Sequence, residues 1–229
     1  MGLIPLRDTI RARRFPVVTV SIIALNILIF VFQATLPPPM LQQFVTAFGI
    51  VPALQLQLFR QAPFGLETWM PMFTAMFLHG GWFHVLGNML YLWVFGDNVE
   101  DALGRVRFLL FYLAAGLAGG LAHIASAPQS IIPTIGASGA VAGVLGAYFV
   151  TYPHARVLAL VPLLFVFAFM ELPAVLFLFL WIALQLFNGI AGILGAANLV
   201  AWWAHVGGFT AGMLLIKLLG GRPRIANPT

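Results

Sequence analysis

The stretch Ile135-Gly136-Ala137-Ser138-Gly139-Ala140 opens an apolar segment. A serine hydroxyl there is a weak nucleophile until a general base removes its proton. Histidine is the usual base, because its unperturbed pKa lies near working pH. His205 is the only histidine in the last apolar segment, with Gly208 and Gly212 at helical spacing from it. Ala142 and Gly146 lie near the face of Ser138, and small residues on both sides let two helix backbones approach closely. Acyl transfer also needs donors for a developing oxyanion. Backbone N–H groups at the start of the Ser138 helix lack intrahelical acceptors. His84 and Asn88 are four residues apart and share a helix face, so either can donate to the same oxygen. His79 is offset from that face and is better suited to holding a loop. Each of these residues singly has a plainer role, a serine bonding back to its own helix or an imidazole or amide joining two helices. Taken together they point to nucleophilic catalysis.

The rest of the chain must place these groups in a membrane. Its 229 residues are 62% hydrophobic and 7% charged, with mean hydropathy +1.01. Soluble domains carry roughly 25% charged residues, so the composition describes a polytopic membrane protein. The net charge of +5 would suggest nucleic acid in a soluble protein. Here the basic residues flank apolar spans, where they set orientation, and no nucleic-acid partner is expected. The absence of cysteine excludes disulfides, thiolate catalysis and cysteine metal sites. No metal site or cofactor is expected.

Six spans account for the pattern. Arg7, Arg11, Arg13 and Arg14 lie in a basic cytoplasmic N-terminus, 1–16. A span over 17–36 follows, too long for a signal-peptide core and lacking an A-x-A-like site before Pro37. Residues 40–70 read as a large external loop lying in the interface. The second span is placed at 71–96, and the charged cluster 97–107 is read as a solvated cytoplasmic turn. The third runs from Phe108 to Ala125, with His123 interfacial at its end, and the fourth from Ile135 to Val150. Residues 157–170 are too short and too interrupted for a crossing and are read as an apolar cytoplasmic-side loop of unassigned role. The fifth span is placed at 173–187, an external loop at 188–198, the sixth span at 199–219 and a cytoplasmic tail at 220–229. With both termini inside, every Lys and Arg except Arg60 is cytoplasmic, as the positive-inside rule requires. Ser138, His205, His84 and Asn88 then fall at similar depth. Polar groups inside spans are costly and mark function by default.

At this point the chain resembles the rhomboid intramembrane serine proteases. Gly136-Ala137-Ser138-Gly139, the run from His79 through His84 to Asn88, and Ala204-His205-Val206-Gly207-Gly208 carry the resemblance, in that order along the chain. It implies an all-α, six-helix membrane domain over 17–219. It implies Ser138 as nucleophile and His205 as base with no acidic third member, and an oxyanion site from the Ser138 N–H, His84 and Asn88. Gly136 would stand at the mouth of the site, with Gly139 and His79 in support. The resemblance further implies single-pass membrane proteins as substrates, cut in or near a transmembrane segment that must locally unwind, because a helix hides its carbonyls. The location implied is the plasma (inner) membrane of a prokaryote.

Two departures stand out. Trp69 is followed by Met70 where many relatives have arginine, and Ala142 stands where some carry an aromatic ring against the base. Trp202 or Trp203 are candidates to replace that ring. Trp181 and Gln185 are candidates for lining a lateral substrate entrance, against the plainer role of packing. The competing functions are a non-catalytic relative that binds transmembrane segments and a small transporter. The transporter leaves the glycine-flanked serine unexplained. Substrate identity and oligomeric state are not legible.

Overall fold

In helix α1 (Val17–Thr35), Thr19, Ile22, Asn26, Phe30 and Gln33 are buried. Their spacing of three or four residues forms one stripe, so the helix turns its polar groups inward and leaves apolar side chains outside. Pro37 ends it: a residue before proline is pushed into extended backbone, as Leu36 is. The computed structural model describes residues 4–163, 166–194 and 200–222. After α1 come three short helices, α2 (Pro38–Phe48), α3 (Pro52–Gln61) and α4 (Leu66–Thr74). Prolines stand at the first turns of α2 and α3, where a missing N–H costs nothing. The region expected as a loop over 40–70 is therefore largely helical.

The next two helices correct the sequence reading further. A 3-10 turn at Ala75–Phe77 and an irregular link separate α4 from α5 (Trp82–Leu103). The second long helix thus begins at Trp82 rather than residue 71 and continues past Asp97. The expected solvated turn over 97–107 does not exist as such. Glu100 and Asp101 are buried on α5. Glu100 accepts from the N–H groups of Val18 (3.0 Å) and Thr19 (2.7 Å) and from the Thr19 hydroxyl (2.8 Å). It caps the N-terminus of α1 from a different helix, satisfying donors that α1 cannot pair itself. Asp101 accepts from the Arg13 N–H. Gly104, at φ +81°, makes the turn into α6 (Arg105–Ser126).

Helix α7 (Ser138–Thr151) leads into a β-hairpin, β1 being the earlier strand Ile4–Asp8, β2 Arg156–Leu163 and β3 Val166–Pro173. The three form an antiparallel sheet in the order β1-β2-β3, pairing Ile4 with Leu160 and Leu160 with Phe169. Against the all-α expectation and the loop expected over 157–170, this is a further correction. The physical reason is legible in β2. Val157 and Ala159 point into the core while Leu158 and Leu160 are partly exposed. Both faces are apolar, so the period-two polarity signal of a strand is erased.

Helix α8 (Ala174–Ile193) absorbs the first part of the loop expected from residue 188, and residues 195–199 lie outside the described set. Helix α9 (Trp202–Leu218) closes the bundle; Leu199, where the sixth span was expected to begin, and 223–229 in the tail are likewise outside. Among the described residues, α1, α6 and α8 are long and apolar enough to cross a membrane, and α7 is apolar but shorter.

Two features fix the bundle. At the α7–α9 crossing, a methyl group on Gly208 would collide with the Gly139 carbonyl oxygen, one on Gly212 with that of Gly143, and one on Gly146 with that of Phe209. The facing residues on α7 are these glycines, with Ala142 buried beside them. At the far end of α7, Asp8 accepts hydrogen bonds from Tyr148 Oη and from Asn98 Nδ2 (2.9 Å), and Tyr152 donates to the Asn98 carbonyl (3.1 Å). These bonds tie β1 to α5 and α7. Burial pushes the Asp8 carboxyl up to about 6, partly offset by the Tyr148 hydrogen bond.

Candidate active site

Ser138 is the first residue of α7, His205 the fourth of α9 and His84 the third of α5, with Asn88 one turn further along. All four line one cavity of about 750 Å³. They come from three helices, and the close approach of α7 and α9 among them depends on missing side chains. A methyl group on Gly119 of α6 would lie 2.7 Å from the Ala204 carbonyl oxygen and 3.2 Å from Gly139 Cα. Gly119 therefore lets α6 meet α7 and α9 beside His205, whereas a methyl group on Gly139 would meet only ordinary contacts of 3.6–3.8 Å.

The loop before Ser138 is held from three sides. Ile50 and Thr134 exchange backbone hydrogen bonds of 3.0 and 2.8 Å, Ala53 N–H reaches the Ser130 carbonyl, and Gly136 N–H reaches the Ala75 carbonyl at 2.8 Å. His123 Nε2 adds a 2.8 Å hydrogen bond to Thr134 Oγ1. Sequence reasoning placed His123 at the interface; it lines the cavity and braces this loop. Its spacing from Ser138 carries no signal, since the two meet only through the folded loop. In the long first connection, Trp69 Nε1 donates to the Pro63 carbonyl at 2.7 Å and its ring packs on Phe59, which anchors the indole.

Gly136 has φ +131°, a conformation that favours glycine. A methyl group there would lie 2.7 Å from His84 Cε1 and Nε2 and 3.7 Å from Ser138 Oγ. The His84 ring, Gly136 and the serine hydroxyl thus converge. Gly80 N–H donates to His84 Nδ1 at 3.3 Å. An accepting Nδ1 leaves the proton on Nε2, the nitrogen nearest Gly136. Asn88 is buried, and its Nδ2 has no acceptor among the described residues. A buried donor left unpaired costs about 1–3 kcal/mol, a cost that a reacting oxygen would relieve.

His205 is buried, and its Nδ1 lies 2.8 Å from Gln185 Oε1 on α8. The Trp181 ring lies 5.8 Å from the imidazole at 36°, and Trp202 meets it edge-on at 6.1 Å. Trp202 and Trp181 flank His205 where Ala142 offers no ring; Trp203 makes no ring contact with it among the described residues. Ser138 and His205 share the cavity, but no hydrogen bond joins them among the described residues. Catalytic hydrogen bonds are commonly long before substrate binds. His79 lies in the link before α5; its N–H donates to Gln33 Oε1 at 3.0 Å and its ring meets His84 edge-on at 5.0 Å. Among the described residues no three His, Cys, Asp or Glu side chains converge as a metal site.

A family model for the rhomboid domain matches residues 66–222. This chain belongs to the rhomboid family. It is 46% identical over 79 residues to Rhomboid protease GluP of Bacillus subtilis, covering 34% of this chain and 15% of that protein. It is 35% identical over 156 residues to RHOMBOID-like protein 1 of Arabidopsis thaliana, covering 65% and 34%. It is 37% identical over 91 residues to Rhomboid protein 1, mitochondrial, of Saccharomyces cerevisiae, covering 38% and 26%. The matched stretches span about a third or less of these relatives' lengths. Family membership and the apolar helices make this rhomboid an integral membrane protein, of a family whose relatives include proteases.

Proposed function

We propose that this rhomboid is an intramembrane serine endopeptidase that cuts single-pass membrane proteins in or near their transmembrane segments. Ser138 Oγ attacks the scissile carbonyl carbon while His205 Nε2 takes its proton. The oxygen that becomes negative is held by the Ser138 N–H, His84 Nε2–H and Asn88 Nδ2–H. The tetrahedral intermediate collapses as His205 returns the proton to the leaving amine, and water then hydrolyses the acyl-enzyme by the same path. One observation carries the reading: a serine, two imidazoles and an amide from three helices line a single cavity, with His84 Nε2 and Ser138 Oγ converging over Gly136.

The topology we propose is a six-span domain over 17–219 with both termini cytoplasmic. In support, β1, the hairpin after α7 and the C-terminal end of α9 all lie at the end of the bundle away from Ser138. Asp8 bonds Tyr148 there, and Arg107 reaches the Leu219 carbonyl. We further propose the plasma (inner) membrane of a prokaryote, favoured by the higher identity to the Bacillus protein than to the mitochondrial one. The test is co-expression with single-pass reporters bearing helix-weakening residues. Wild type cleaves, and Ser138→Ala and His205→Ala do not. Cleavage surviving either substitution overturns the assignment.

A further inference from the structure

A serine-histidine pair with no acid leaves a question of protons: which imidazole nitrogen is the base? Only an unprotonated nitrogen can take the serine proton, and a neutral imidazole has one such nitrogen. In water, free imidazole of a histidine side chain slightly favours the proton on Nε2, the wrong nitrogen for a base facing Ser138.

We infer that Gln185 is the positioning residue that selects the tautomer of His205, through its amide oxygen on Nδ1. This rests on the Ser138–His205 reading above. The side chain is buried on α8, and both ends of its amide are committed. Gln185 Nε2 donates to the Trp181 carbonyl at 3.0 Å, and Oε1 lies 2.8 Å from His205 Nδ1. An amide has two possible orientations, which the hydrogen-bond network must decide. A backbone carbonyl can only accept. The NH₂ group must therefore face Trp181, and the oxygen must face the imidazole. An amide oxygen can only accept too, so His205 Nδ1 must carry the hydrogen. Nε2, across the ring, is left with its lone pair free. A main-chain carbonyl on α8 thus dictates, through two fixed choices, which nitrogen on α9 acts as base.

The logic mirrors His84, where a donating backbone N–H on Nδ1 leaves Nε2 protonated. Two imidazoles lining one cavity receive opposite protonation from opposite partners, one as donor and one as acceptor. The Trp181 ring over His205 and the edge of Trp202 restrict rotation of the ring out of line. A neutral amide cannot stabilise an imidazolium as a carboxylate does. Its contribution is orientation and tautomer, the part of the aspartate's role whose loss costs about 10,000-fold in the Ser-His-Asp case.

The test combines spectroscopy with kinetics on the full chain in lipid nanodiscs. Nitrogen-15 histidine NMR, with the His205 signals assigned by comparison with His205→Ala, reads the protonated nitrogen in the wild type at neutral pH. Nδ1–H is expected; Nε2–H overturns the inference. Inactivation by a fluorophosphonate separates chemistry from binding. Gln185→Met keeps the shape and removes the acceptor. We expect its kinact to fall about 100-fold, with KI within about twofold. Gln185→Glu restores an acceptor and is expected to recover kinact to within about tenfold of wild type. Wild-type kinact in Gln185→Met, or a loss confined to KI, overturns the inference. Should Gln185→Met fail to fold, the wild-type tautomer decides alone. If Ser138→Ala or His205→Ala still label, the dyad itself is wrong, an outcome distinct from either of these.

Discussion

The two ends of the bundle treat polar groups in opposite ways. Away from Ser138, the Glu100 carboxylate spends both oxygens on the start of α1, and one Asp8 oxygen serves Tyr148 and Asn98. Around the cavity, the Ser138 hydroxyl makes no hydrogen bond among the described residues and Asn88 keeps a donor without an acceptor. One end uses polar chemistry to hold helices and strands together. The other holds groups in place through backbone bonds and glycine contacts and leaves their reactive atoms unspent. Substitutions at the two ends should therefore separate activity from stability.

The largest effects should fall at the cavity. Removing one donor from an oxyanion site costs about 100- to 1,000-fold in turnover. We expect Asn88→Ala and His84→Ala each to lose activity on that scale, with little change in thermal midpoint. Asn88→Ala should even hold or raise stability, because it removes an unpaired buried donor. An unfolding midpoint that collapses with activity would make these residues structural and erase the contrast.

At the other end the expectation reverses. Glu100→Ala strips three charge-assisted hydrogen bonds from the α1 terminus and should cost about 2–4 kcal/mol of stability. Specific activity of the folded fraction should stay near wild type. Denaturant unfolding in detergent with a parallel cleavage assay checks both, and an activity loss without a stability loss would break the comparison.

The smallest effect is a pH dependence. The Asp8 carboxyl is raised to about 6 by burial, above its ordinary 3.8. A raised acid is favoured protonated in the folded state. Its contribution is therefore fully present below about pH 4 and is lost as pH rises through about 6. Amide exchange in β1 should accelerate between about pH 4 and pH 6 beyond the intrinsic rate and level off above that. Asp8→Asn, which is neutral throughout, should flatten that excess. An identical excess in both proteins would remove Asp8 as the cause, leaving its neighbour Asp97 to be examined.

What could be read from the sequence follows the same division. Ser138, His205, His84 and Asn88 were legible because polar groups stand out in apolar segments and helical spacing pairs them. Gln185 was noticed for the same reason, but its partner was not, because α8 meets α9 only in the folded bundle. His123 was passed over, since its role depends on the path of the loop through Thr134. The hairpin was hidden by its own composition: with leucine on one face and valine and alanine on the other, alternation carries no polarity. Glu100 and Asp101 were misread because charge ordinarily signals water, and here it caps a helix and binds the N-terminal segment. The start of α5 was misplaced because the apolar run through Leu78 is continuous in composition while the backbone turns at Gly80 and Gly81.

The central claim is that Ser138 is a nucleophile activated by His205. Its most direct test is mass-spectrometric mapping of a fluorophosphonate adduct on the intact protein in membranes. The account predicts one adduct, on the peptide containing Ser138, absent from His205→Ala. An adduct on another residue, or one that forms equally in His205→Ala, would contradict it.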